Sequence, residues 1–78
     1  MTPDEIDVFF TYHRPFGNQS ERYEAIRAKA RELGQLIDEL CPDSPDKTAA
    51  IRKLREAVMT ANAAIACYET EHDRSANT

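Results

Sequence analysis

The segment Cys41–Lys47, CPDSPDK, decides the fold. Pro42 cannot continue a helix, so a helix arriving from the N-terminal side must stop here. Ser44 is a good N-cap, and Pro45 fits the first turn of a new helix, where its missing N–H costs nothing. Upstream, Tyr23, Ile26, Ala30, Leu33, Ile37 and Leu40 recur at alternating steps of three and four. Downstream, Ile51, Leu54, Val58, Ala61, Ile65 and Tyr68 do the same. Each set forms an apolar seam along an amphipathic helix. The pattern predicts helices over roughly 19–40 and 45–69, each about 30–40 Å long at about 1.5 Å per residue. The short linker makes them antiparallel neighbours.

The flanks follow from this hairpin. Asn18 is the expected N-cap of the first helix, with Glu21 three residues on to complete a capping-box pair. PDEIDVFF, Pro3–Phe10, reads as a short helix or an extended arm, and residues 70–78 as a polar tail. The expected fold is all-α: a single helical domain over residues 1–78, an antiparallel two-helix hairpin with a short N-terminal helix or arm. A chain of 78 residues has little surface to bury within itself. Ala50, Ala57 and Ala64 form a second stripe beside the seam, and Leu36 and Met59 lie off the seams. A hairpin has one internal interface, so this extra apolar surface predicts a helical homo-oligomer.

Several function classes are disfavoured. Cys41 and Cys67 sit at different heights of the hairpin, so they are expected reduced, as small buried residues. With His13 and His72 far apart, no metal-ligand spacing arises, and no cofactor motif appears. No apolar run reaches transmembrane length, and the opening MTPDEID is acidic where a signal peptide is basic, which predicts a cytoplasmic protein without a membrane partner. The net charge of -4 argues against a DNA or RNA polymer as ligand. A small anion needs only a local patch. Arg22, Arg27, Lys29 and Arg31 face only Glu24 within their stretch, and Arg52, Lys53 and Arg55 cluster in the other half.

Binding chemistry concentrates in Phe9–Lys29, while no residue is a candidate catalyst and an enzyme is not expected. A nucleobase is held by an aromatic ring and by hydrogen bonds to its edge, and its phosphate by Arg, Lys or backbone N–H groups. TYHRP supplies Tyr12 as a stacking surface, His13 and Arg14 as polar partners, and Pro15 to stiffen the turn. The first helix adds Arg22, Arg27 and Lys29. Arg22 lies in the first turn, where the helix dipole disfavours a cation unless an anion or a glutamate offsets it. Arg27 flanks the seam, where a guanidinium can hold a ligand or cover an interface. Phe9, Phe10 and Phe16 are expected in a core or interface, stapling the arm to the hairpin. Asn62, in a small-residue stretch, either fixes helix register or contacts a ligand.

The motifs FTYHRP, GNQSERYEAIR and LIDELCPDSPDKTAAIRKLREAVMTANAAIA resemble, in order and spacing, the small phage-encoded anti-CBASS proteins that act as sponges for cyclic oligonucleotides. The likeness covers residues 9–66. It implies a helical homo-hexamer built from dimers, binding cyclic dinucleotides such as cyclic GMP-AMP between paired protomers and cyclic trinucleotides at separate sites. Such proteins sequester these messengers without cleaving them, in the cytoplasm of the infected bacterium, so that the defence effector is not activated. By this resemblance Tyr12 matches the tyrosine that stacks on the cyclic dinucleotide. Arg27 matches, approximately, a basic phosphate-contacting position. His13 and Lys29 are the neighbouring candidates, and Arg14, Arg22 and Asn62 are additional ones. The residues alone leave open a helical module that binds a host protein through the aromatic loop.

Overall fold

A computed structural model describes residues 2–69. It contains three helices: α1, Pro3–Phe10; α2, Gln19–Leu40; and α3, Pro45–Tyr68. No strand occurs among the described residues, so the protein is all-helical. The expected helix ends agree to within one residue, and the N-terminal arm is a helix. The segment 70–78, read as a polar tail, lies outside the described residues.

Each helix start has a local cause. The Thr2 side chain accepts a hydrogen bond from the Glu5 N–H at 3.2 Å, and Pro3 follows at the first position. Asp4 and Glu5 place negative charge against the positive end of the α1 dipole. Ser44 caps α3 as expected, accepting from the Lys47 N–H at 3.1 Å. Asn18 occupies the N-cap position of α2, but its side chain does not cap the backbone. Its Oδ1 instead accepts from Arg22 Nε at 3.1 Å, so the expected capping box does not form. Gly17, just before it, has a φ of 57°, the left-handed region in which a side chain is strained.

Polar locks at both ends fix α2 and α3 as an antiparallel pair. At the turn, Lys47 Nζ donates to Asp43 at 2.9 Å and to Asp38 of α2 at 3.0 Å. At the open end, Gln19 is 1% exposed, the one buried residue among those described. Its Nε2 donates to the Ile65 carbonyl at 3.3 Å and to Glu69 Oε1 at 3.0 Å, while its Oε1 accepts from the Phe16 N–H at 3.1 Å. Every polar atom of that side chain is thereby paired, which is what makes its burial tolerable. Arg22 Nη2 adds an ion pair to Glu69.

The turn lock gives a pH prediction. Hydrogen bonding and charge from Lys47 hold the Asp43 carboxyl below its usual 3.8. The hydrogen bonds that Lys47 donates to Asp43 and Asp38 raise its amine above 10.5. The carboxylate's share of stability is therefore complete above pH 3.8 and is lost as pH falls through its lower folded value. The amine's share is complete below pH 10.5 and is lost as pH rises through its higher folded value. Lys47→Met is expected to lower the melting temperature most between these limits, with the gap to wild type closing on both sides. Thermal melts followed by circular dichroism over a pH series check this; a gap independent of pH contradicts it.

Apolar packing is thin. Tyr23, Ile26, Ala30 and Ile37 of α2 meet Leu54, Val58, Ala61 and Ile65 of α3 in a half-buried seam, and no apolar side chain among the described residues is fully buried. Leu33, Leu36, Leu40, Ile51, Met59 and Tyr68 are exposed. The phenylalanine staple is only partly realised. Phe16 is half-buried, but Phe9 is exposed and Phe10 is 84% exposed. The end of α1 is held to α3 by the Val8 carbonyl instead, which accepts from Cys67 Sγ at 3.6 Å. Both cysteines are free; Cys67 is half-buried, whereas Cys41, expected inside, is exposed because it lies past the end of the seam. No described helix is long and apolar enough to cross a membrane.

Candidate functional site

The link between α1 and α2 carries the aromatic candidate. Thr11 leaves α1 in an extended conformation, and the next residue, Tyr12, is 82% exposed. His13 is half-buried, with Nε2 2.8 Å from the Val8 carbonyl. A carbonyl only accepts, so Nε2 carries the proton and, in the neutral ring, Nδ1 is left as an acceptor. His13 thus ties the Tyr12 link back to the Val8 carbonyl near the end of α1, which Cys67 Sγ also reaches from α3. Glutamine can place a donor at nearly the same reach. His13→Leu is expected to speed amide exchange across residues 11–16 by roughly fivefold, on the scale of one lost net hydrogen bond, and His13→Gln to restore it. Hydrogen exchange read by mass spectrometry checks the pair; equal exchange in both variants contradicts this role. Arg14 is exposed on the same link.

The cationic candidates of α2 divide. Arg22 is engaged with Asn18 and Glu69, so the offset to the helix dipole comes from a glutamate at the far end of α3. Lys29 pairs loosely with Glu32 at 3.4 Å on an exposed face. Arg27 pairs with Glu24 at 3.0 Å and also lines a groove between α2 and α3.

This groove has a volume of about 440 Å³. Its floor is apolar, with Leu54 and Val58, and its polar lining comprises Arg27, Arg31, Arg55 and Asn62. No carboxylate among the described residues lines it. Asn62 Oδ1 is shut from solvent and has no hydrogen-bond partner among the described residues. Gly34 also lines it. A Cβ there would lie 3.7 Å from Leu54 Cδ2, an ordinary contact, so hairpin packing does not demand glycine. An interior helical glycine costs about 1 kcal/mol relative to alanine.

The sequence candidates therefore fall into two places. Arg27 and Asn62 meet in the groove, while Tyr12, His13 and Arg14 sit on the link; Arg22 and Lys29 line neither wall of the groove. Arg31, Arg55 and Gly34 were not among the expected site residues. The four-residue spacing of Arg27 and Arg31 puts both on one face of α2 and is the signal that could have found the second. The approach of Arg55 depends on how α3 lies against α2. No group of three or more His, Cys, Asp or Glu is placed to hold a metal ion among the described residues.

A polar-locked helical hairpin with a cationic groove and an exposed aromatic link defines a small binding module. The hairpin-domain model of the Acb2/Tad1 family matches residues 2–66, which takes in α1 as well as the hairpin. The chain belongs to this family, that of the anti-CBASS sponges. No curated protein and no solved structure gives a match.

Proposed function

We propose that the protein binds cyclic dinucleotides such as cyclic GMP-AMP, and cyclic trinucleotides at separate sites, and holds them intact in the cytoplasm of a phage-infected bacterium. The messenger so withheld cannot activate the CBASS effector. The family match over residues 2–66 carries this reading. In it, Tyr12 stacks on a base, Arg27 meets a phosphate, and His13 and Lys29 act beside them; Arg14, Arg22 and Asn62 are further contacts. The active form is a homo-oligomer, a hexamer built from dimers. The exposed apolar side chains of α1, α2 and α3 support association, since copies of the chain can cover them. A two-fold pocket presents every side chain twice, which suits a ligand with two bases and two phosphates.

Sequestration needs tight binding and slow release rather than transition-state complementarity. The test is to load the protein with 3′,3′-cyclic GMP-AMP, remove free ligand, denature the complex by heat and chromatograph what is released. Unchanged cyclic nucleotide in the amount loaded is expected. Linear product would replace the sponge with a nuclease. No loading with any cyclic di- or trinucleotide would overturn the reading and turn attention to a protein partner at the aromatic link.

A further inference from the structure

Arg31 of α2 and Arg55 of α3 reach the same groove as Arg27, and neither is ion-paired among the described residues. Glu24 compensates Arg27 from outside the groove, so Arg31 and Arg55 are left as two uncompensated guanidiniums with no lining carboxylate among the described residues, a local positive excess in a chain of net charge -4. Gathered cations repel, and a bound anion removes that cost. The apolar floor suits a flat ring, and Gly34 adds no side chain to the lining. Asn62 lines the groove, and its Oδ1 is a buried acceptor without a donor among the described residues. Guanidinium forks match phosphate oxygens in pairs, and the volume of about 440 Å³ lies in the range of small-ligand sites.

We infer that Arg31 and Arg55, together with Arg27, clamp the phosphodiesters of a bound nucleotide across the α2–α3 groove, with a base on its apolar floor and Asn62 at the base edge. This rests on the nucleotide-sequestering reading for the class of ligand; it adds two phosphate-holding residues to it and gives Asn62 the base edge. The clamp spans two helices, so it exists only in the folded hairpin.

The test is calorimetric titration of 3′,3′-cyclic GMP-AMP and of a cyclic trinucleotide into wild type, Arg31→Gln, Arg55→Gln and the double variant. Lys53→Gln, which removes the same charge from α3 outside the groove, is the control. Each groove variant is expected to weaken binding of at least one ligand by about tenfold and the double variant by about a hundredfold, as for lost charge-assisted hydrogen bonds. The control is expected to stay within about twofold, because an exposed charge contributes little. A double lysine variant, R31K/R55K, is expected to recover part of the loss, since charge returns without the planar fork. Wild-type binding with an unchanged double glutamine variant overturns the clamp and leaves the sponge reading standing. No binding by wild type overturns both. Sedimentation separates the remaining outcome: if both double variants dissociate, these arginines belong to an interface and the clamp is overturned.

Discussion

Tyr12→Ala is expected to weaken binding of a cyclic dinucleotide by about a hundredfold or more while leaving the melting temperature unchanged. Base–aromatic stacking is worth about 1–3 kcal/mol per base, roughly ten- to hundredfold, and a two-fold pocket loses two rings at once. The side chain is 82% exposed, so its removal subtracts almost nothing from the packing of a single chain. Tyr12→Phe keeps the ring and is expected to bind within about tenfold of wild type, losing at most a hydroxyl hydrogen bond. Titration calorimetry beside thermal melts checks the set. A Tyr12→Ala variant that binds normally would remove the aromatic link from the site, and one that binds poorly because it melts early would make Tyr12 a packing residue.

The second large effect concerns assembly. Leu36 and Leu40 lie one turn apart on α2, and both are exposed in the single chain. In the proposed homo-oligomer a neighbouring copy covers them, and full burial of a leucine is worth about 1.5–3 kcal/mol. Leu36→Glu with Leu40→Glu forfeits that gain and would place carboxylates in an apolar contact, a further penalty. Domain stabilities are only about 5–15 kcal/mol in all. The double variant is therefore expected to sediment as a monomer of 8.9 kDa and to lose most of its helicity at temperatures where wild type is folded. Analytical ultracentrifugation and circular dichroism check it. A wild type that sediments as a stable, folded monomer would contradict the assembly outright.

Much of the fold was legible because local rules agreed with one another. Pro42, Ser44 and Pro45 stop one helix and start the next, and the three-and-four spacing of the seams sets which faces meet. What escaped the sequence depends on long-range geometry. Gln19 is an ordinary polar residue at a helix start until α3 brings the Ile65 carbonyl and Glu69 beside it. Asn18 has the right chemistry for a cap, but Arg22 one turn on competes for the same oxygen. Phe9 and Phe10 look like core residues by type, yet an eight-residue helix touching α3 near its end has no room to bury both. Of the groove lining, Arg27 and Asn62 were legible as candidates in the sequence. Arg55 was not, because it reaches Arg27 and Arg31 only across the packed hairpin.

The central claim is that paired copies of this hairpin take up one cyclic dinucleotide between them and keep it. The most direct measurement is calorimetric titration of the wild-type protein with 3′,3′-cyclic GMP-AMP, at a protein concentration where sedimentation gives a single species. The predicted result is tight binding that saturates at about one ligand per two chains, as two-fold symmetry requires. The absence of heat with this and other cyclic di- and trinucleotides, confirmed by equilibrium dialysis, would contradict it.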